Sequence, residues 1–330
     1  MLEMDLIHDL MDIFVPVLFF ITLPILLPFL VIYKALNFIS GFLLKEKLAG
    51  KVVLITGASS GIGEELAYEY ARKGSCLVLV GRRENLLRKV EEKSRQLGSP
   101  NVHVVRADVS KPEDCKRSIR ETVDLFGRLD HLVNNAGILY VSLFEECNNL
   151  ETLTSLMDVN FWGSAYCTYF AIPHLRKTKG KIIVNASCAG WTPIPTLSTY
   201  GATKGAIISF YEALRAEIGS DIGITILTPG LVSSDMTTSE HFCANVKAMA
   251  ACSPSESRER CAKAIVRRVC SGERFVIEPA WMRWFFYLNL MFPQLIEWGN
   301  QLCAALLTRE PRKTNKNVVF VNSNGPLKVD

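Results

Sequence analysis

The sequence predicts an α/β protein, with a parallel sheet covered by helices on both faces and a hydrophobic segment in front of it. Three observations predict this. Short apolar runs recur about every 25 residues with amphipathic stretches between them, the mark of alternating strands and helices. A glycine-rich turn, Thr56-Gly57-Ala58-Ser59-Ser60-Gly61-Ile62-Gly63, joins the first run to the first amphipathic stretch. And 21 consecutive residues, Ile13 to Tyr33, carry no charge.

Composition sets the outer limits. The 330 residues fit one α/β domain with appendages, and an apolar share of 49% supports a large core. A net charge of +4 without any Lys/Arg block excludes a nucleic-acid partner. The ten cysteines form neither CxxC nor a Cys/His metal spacing, so they read as reduced, buried thiols with no metal site.

The apolar segment comes first. A straight helix of this length spans roughly 30 Å, one hydrocarbon core. Glu3, Asp5, Asp9 and Asp12 stand where a cleaved leader would be basic, and no small-residue cleavage site comes after it, so the segment is expected to be retained. Pro24 and Pro28 each delete a helical N–H. Two prolines so close suit a bend, which favours a hairpin or monotopic anchor in a lipid monolayer or one leaflet. A tilted single span and burial within the fold are the alternatives. In a spanning arrangement Lys34, Lys45, Lys47 and Lys51 place the folded domain on the cytosolic side. The expected organisation is an anchor over 1–47, a folded domain over 48–280, an apolar extension over 281–307 and a disordered tail over 308–330.

Val52–Ile55 reads as a buried strand and Glu64–Lys73 as a helix. The glycines between them permit a tight turn and a close approach of phosphate oxygens to the backbone. Free N–H groups of the helix then face a pyrophosphate. The next strand, Cys76–Val80, ends in Gly81-Arg82-Arg83, where an NAD-binding chain would carry an acidic residue for the ribose. Guanidinium groups pair with a 2′-phosphate, so NADP(H) is expected, with Ser59 also within reach; a solvated helix start is the alternative for both arginines. Val102–Val105 is a third strand, followed by Asp108, which reads equally as a cap on an adenine site or as part of a helix N-cap near Ser110. Leu129–Val133 is a fourth, ending in Asn134-Asn135-Ala136-Gly137.

Lys181–Asn185 is the fifth strand, and Ser187 lies just past its end. Tyr200 comes next, and Lys204 shares its helix face at i+4. A phenol with a pKa near 10 needs a neighbouring ammonium and a cationic nicotinamide to exchange protons near neutrality. Ser187 can donate to a carbonyl or carbinol oxygen. Together the groups move a proton while a cofactor moves a hydride.

At this point the chain resembles the short-chain dehydrogenases/reductases, on Thr56-Gly57-x3-Gly61-x-Gly63, Asn134-Asn135-Ala136-Gly137, Asn160, Ser187, Tyr200-x3-Lys204 and Pro229-Gly230. These motifs run in order from Gly50 to Glu278. The resemblance implies a Rossmann-type doubly wound sheet of seven parallel strands. It implies Asn160 as a fourth catalytic residue, holding a water in a proton relay with Lys204. It places Ser234 where the family often has a threonine on the nicotinamide carboxamide. With the reading above, cofactor contacts fall to Gly57, Ser59, Ser60, Gly61, Ile62, Gly63, Arg82, Arg83, Asp108, Asn135, Ala136, Gly137, Pro229, Gly230 and Ser234, with Tyr200 and Lys204 shared.

The stretches GSPNVHVVRADVSKPEDC, FGRLDHLVNNAG, NFWGSAYCT and RFVIEPAWM narrow the likeness to plant hydroxysteroid dehydrogenases of the steroleosin type, lipid-droplet relatives of 11-beta-hydroxysteroid dehydrogenase. That group carries a Pro-x11-Pro knob, a spacing that Pro16 and Pro28 share. The segment Ser234 to Ser255 and the tail after Leu307 are shorter than in that pattern. The likeness implies NADP(H)-dependent interconversion of a hydroxyl and a ketone on a sterol, steroid or related terpenoid. It also implies a lipid-droplet or endoplasmic-reticulum location facing the cytosol, and a homo-oligomer, a dimer, built through two long helices. A carbonyl reductase for fatty-acyl or specialised metabolites, and a non-catalytic sterol-binding lipid-droplet protein, are the competing functions.

Two apolar groups complete the reading. Trp191, Ile194 and Leu197, with Met236, Phe242, Val246 and Met249 in a presumed lid, suit a large apolar substrate or ordinary packing. Trp281, Trp284, Phe285, Phe286 and Tyr287 suit a membrane interface or a dimer contact.

Overall fold

Seven parallel strands order themselves so that the chain reverses direction at one crevice. A computed structural model describes residues 2–43, 45–147, 150–233, 237, 254–309, 321–322 and 325–326. Two compact units divide the chain, Met1–Glu46 and Lys47–Asp330.

The first unit holds helix α1 (Leu2–Leu43), unbroken through Pro16, Pro24 and Pro28. Leu10–Leu36 is long and apolar enough to cross a membrane, and none of it is buried. The chain therefore makes no hairpin turn at Pro24 and Pro28. Each proline removes one hydrogen bond, whereas a hairpin turn would unpair several backbone groups at once, which apolar surroundings penalise heavily. Thr22 Oγ1 also donates to Leu18 O at 2.8 Å.

In the second unit β1 (Val52–Thr56) leads into α2 (Gly61–Arg72), β2 (Cys76–Gly81), α3 (Glu84–Gln96), β3 (Val102–Arg106), α4 (Pro112–Phe126) and β4 (His131–Asn134). Helix α5 (Glu151–Met157) passes through a π turn, Asp158–Trp162, into α6 (Gly163–Thr178). Then come β5 (Lys181–Asn185), α7 (Ser198–Ile218), β6 (Gly223–Pro229), the two-residue strands β7 (Val232–Ser233) and β8 (Glu256–Ser257), α8 (Arg258–Cys270) and β9 (Phe275–Glu278). Helices α9 (Met282–Met291) and α10 (Pro293–Arg309) come last, broken at Pro293 as its missing N–H requires.

The sheet order is β3-β2-β1-β4-β5-β6-β9, all parallel. This is the expected doubly wound seven-stranded sheet. Each strand alternates between two cores. Val53 and Ile55 point into one with Leu66 of α2 and Ile265 of α8. Leu54 points into the other with Ile119 of α4, Leu175 of α6 and Tyr211 of α7. Strand order reverses between β1 and β4, and in such sheets the crevice beyond those carboxyl ends receives ligands.

The fourth strand starts at His131, two residues later than expected. Asp130 is occupied at the amino-terminal ends of β1 and β4, accepting from Val52 N at 2.9 Å and from Arg128. Ser234 and the lid residues Met236, Phe242, Val246 and Met249 lie outside the described residues. So does most of the predicted 308–330 tail, apart from the end of α10 and an antiparallel bridge of Val321–Asn322 with Gly325–Pro326.

Candidate active site

Three strand ends are stitched together at the crevice. Thr56 closes β1, and its hydroxyl donates to Val133 O at 3.3 Å while accepting from Asn135 N at 3.0 Å and Ala136 N at 3.1 Å. Asn135 Nδ2 donates back to Thr56 O at 3.1 Å and Gly57 O at 3.3 Å, and its Oδ1 accepts from Asn185 Nδ2 at 2.9 Å. The ends of β1, β4 and β5 are therefore tied directly to one another.

Contact explains the glycines. Gly57 has φ +65°, and a Cβ there would sit 2.8 Å from Ala136 Cα. A Cβ on Gly63 would overlap Asn135 Nδ2 and Gly57 O. Helix α2 starts at Gly61 behind an extended Ser60 whose side chain makes no cap. The N–H groups of its first turn have no partner inside the helix. Ser60, Gly61 and Ile62 line a cleft that also holds Asn135, Asn185, Ser187, Tyr200, Lys204, Pro229 and Gly230.

A second cavity meets the first at Gly57, Ala136, Gly137 and Ile138. It is lined by Ser59, Gly81, Arg82, Arg83 and Asp108. Arg83 Nη2 donates to Ser59 Oγ at 2.9 Å and Ser60 Oγ at 2.8 Å, so two hydroxyls aim the guanidinium at the cavity's edge. Arg82 beside it is exposed. Asp108 both lines the cavity and caps locally: its Oδ1 accepts from Ser110 N at 3.1 Å and Ser110 Oγ at 2.8 Å, a turn one residue before the Lys111 N-cap of α4.

At the reacting end, Ser187 lies just beyond β5 and opens a 3-10 turn, Cys188–Gly190, its Oγ accepting from Ala189 N at 3.2 Å. Tyr200 lies in the first turn of α7, with Lys204 one turn on. Lys204 Nζ donates to Asn185 O at 2.8 Å and lies 5.6 Å from the Tyr200 ring centre. Burial pushes the Tyr200 phenol well above its ordinary pKa, while hydrogen bonding with Ser187 pulls it back. Burial lowers the Lys204 ammonium to about 8. A Cβ on Gly137 would stand 3.2 Å from Asn160 Oδ1, tighter than ordinary contact.

Asn160 sits in the π turn and is buried. Its Oδ1 accepts from Ile138 N at 2.8 Å, and its Nδ2 donates to Ile138 O at 3.0 Å and Thr203 Oγ1 at 3.0 Å. Thr203 in turn donates to Tyr200 O at 2.8 Å. Asn160 thereby joins the Gly137–Ile138 loop to the helix turn that carries Tyr200. Sequence reading missed three residues here. Thr56 stood inside the glycine motif and Asn185 two residues before Ser187, so both were within sight; Thr203 had no signal at all.

The residues suit a dinucleotide. The glycine turn closes on Asn135 and Ala136 so tightly that a Cβ at Gly57 or Gly63 would collide there, two cavities share Gly57, Ala136, Gly137 and Ile138, and a prepositioned cation stands at the second one.

Comparison with known proteins agrees with this geometry. A family model described as short chain dehydrogenase matches residues 51–242. The chain is 47% identical over 318 residues to 11-beta-hydroxysteroid dehydrogenase A of Sesamum indicum, covering 94% of this chain and 91% of that one. It is 48% identical over 293 residues to 11-beta-hydroxysteroid dehydrogenase-like 4A of Arabidopsis thaliana, covering 89% and 98%. Among solved structures it resembles an alcohol dehydrogenase from the archaeon Thermococcus sibiricus complexed with 5-hydroxy-NADP, with a TM-score of 0.60, 26% identity, and coverage of 69% and 94%. A short-chain dehydrogenase/reductase from Burkholderia phymatum in complex with NAD shares the fold, with a TM-score of 0.68, 24% identity, and coverage of 76% and 96%.

Proposed function

The chain belongs to the short-chain dehydrogenase family, and from that membership we propose that it is an NADP(H)-dependent oxidoreductase interconverting a hydroxyl and a ketone on a sterol, steroid or related terpenoid. The observation that carries the reading is the meeting of Ser187, Tyr200 and Lys204 on one cleft with the glycine-rich loop. The names of the plant relatives support the substrate class.

A nicotinamide dinucleotide held along Gly57, Ser60, Gly61, Ile62, Asn135, Ala136 and Gly137 would supply or accept the hydride. Ser187 accepts a backbone N–H on its oxygen, which leaves its own O–H to donate to the substrate oxygen. Tyr200, kept neutral by burial, holds the proton that a ketone oxygen needs as it becomes a hydroxyl. Lys204 is fixed by Asn185 O beside the Tyr200 ring, so its positive charge favours the phenolate left behind. Asn160, through Thr203 and Ile138, orients the Tyr200 turn against the loop below it; as a fourth catalytic residue it would hold a water in a proton relay with Lys204. Arg83 takes the 2′-phosphate, with Arg82 adding charge from solvent.

Helix α1 anchors the enzyme in lipid, on a lipid droplet or the endoplasmic reticulum, with the catalytic unit in the cytosol and a second copy paired through long helices. An apolar substrate dissolves in that same lipid. Absorbance at 340 nm tests the reading, using the full chain in detergent micelles, NADPH or NADH, and panels of 3-, 11- and 17-ketosteroids, plant sterol ketones and long-chain carbonyls. Turnover of ring-bearing ketones with NADPH, absent in Tyr200→Phe, is the expected result. Turnover of long-chain carbonyls alone would move the substrate to the fatty-acyl class, and no binding of either nucleotide would defeat the enzymatic reading.

A further inference from the structure

The loop between Ser187 and Tyr200 is held from the far end of the chain. Asn289, half-buried on α9, donates from Nδ2 to Trp191 O at 2.7 Å across 98 residues. Asn300 on α10 donates from Nδ2 to Pro193 O at 2.7 Å across 107 residues. Trp191 stands edge-on to Phe286 of α9, with ring centres 5.0 Å apart at 86°. Beneath them Cys188, Ile277 and Met282 are buried together.

Helix α9 also touches the opposite wall. Gly230, which lines the cleft, packs so tightly on Met282 that a Cβ there would overlap the Met282 sulfur. One helix thus braces Pro229–Gly230 on one side and Trp191 on the other. The bond at Trp191 leads straight to Ser187. Trp191 N donates to Cys188 O at 3.1 Å, Thr192 N to the same carbonyl at 2.9 Å, and Gly190 N to Ser187 O at 3.0 Å. Further along, Thr196 is held at φ 71°, a left-handed conformation that strains a β-branched residue and that a released loop would abandon.

We infer that α9 and α10 are part of the active site as a brace, with Asn289 and Asn300 as positioning residues that fix the Ser187–Tyr200 loop and thereby set which bulky apolar ketones or alcohols the cleft admits. An amide that donates to a main-chain carbonyl fixes the loop's path without presenting a group to the substrate. Its loss therefore affects a large substrate, which needs the whole wall, more than a small one. The kinetic part rests on the oxidoreductase reading, whereas the structural part does not.

The test uses the full chain in detergent micelles with Asn289→Asp, which keeps the shape and loses the donor, Asn300→Ala, and Asn289→Gln, which restores an amide. Hydrogen exchange is followed in peptides covering 188–197 and 52–63. Kinetics with NADPH compare a tetracyclic ketosteroid with cyclohexanone. Exchange in 188–197 is expected to quicken at least ten-fold in Asn289→Asp, with 52–63 unchanged and partial restoration in Asn289→Gln. The kcat/KM for the steroid is expected to fall about ten-fold, chiefly through KM, while cyclohexanone and NADPH affinity stay within two-fold. Unchanged exchange in 188–197 overturns the brace. Faster exchange with equal losses on both ketones overturns the selectivity. A wild-type protein that binds NADPH and reduces neither ketone counts against the proposed activity, and the exchange result then decides the brace alone.

Discussion

The two halves of the crevice are built from different distances along the chain. The cofactor half is stitched by neighbours in the sheet: Thr56, Asn135 and Asn185 stand at the ends of adjacent strands, and Arg83 is clasped by the loop just before α2. The reacting half has a wall, Ser187 to Leu197, whose outer supports arrive from Asn289 and Asn300. A site assembled from strand ends inherits the rigidity of the sheet. A wall propped by appended helices can change with those helices while the chemistry beneath it stays the same.

The largest effect that separates the halves is expected from Tyr200→Phe. It removes the hydroxyl proposed as proton donor and nothing that faces the nucleotide's far end, so turnover should fall by about 10³-fold, within the span usual for acid–base groups. NADPH binding, followed by its fluorescence, should change little. A parallel loss of binding would show that the two halves are not separable. Gly57→Ala is the converse. With φ +65° and Ala136 Cα 2.8 Å from the added carbon, the loop must shift, and nucleotide affinity should drop about 100-fold or more while the isolated fold survives, read by circular dichroism.

A smaller effect sharpens the cofactor half alone. Arg83→Ala should weaken NADPH about 10- to 100-fold, the worth of a charge-assisted bond or two, and leave NADH nearly as before. Equal losses for both nucleotides in a titration would assign the guanidinium to loop structure instead. The smallest effect concerns stability. Lys204 titrates near 8 when folded and at 10.5 when free, so between those values the unfolded chain holds more protons. Stability from this group rises with pH across that window, and its burial penalty is fully present below about pH 8. Lys204→Met should be more heat-stable than wild type at pH 7 by a few °C, with the gap closing as pH approaches 10. A gap independent of pH in differential scanning fluorimetry would mean that the ammonium is not the cause.

Legibility in the sequence divides the same way. Strands β1, β2, β3 and β5 were readable because buried parallel strands are continuous apolar runs. Strand β4 was displaced because its polar members are satisfied only in three dimensions. His131 meets Tyr70 OH at 3.1 Å, and Asn134 Nδ2 bonds Thr168 Oγ1 at 2.9 Å and Tyr211 OH at 3.0 Å. Ser187, Tyr200 and Lys204 were readable from spacing. Thr203 was not, because the bond that gives it a place in the site comes from Asn160, 43 residues away, and the residues Asp158–Trp162 carried no sign of their π turn. Nothing in the aromatic run after Trp281 told that Asn289 would turn inward while Trp284 turned out.

Helix α1 has a consequence for how such a protein must be measured. Under the proposed anchoring, a chain whose 27-residue stretch Leu10–Leu36 is long and apolar enough to cross a membrane would leave the aqueous volume for a surface. For a catalyst on a surface, the quantity that governs encounter with a lipid-soluble substrate is mole fraction in the lipid, not molarity in the tube. Adding inert phospholipid at constant total substrate should then slow turnover by surface dilution, although no bulk concentration has changed.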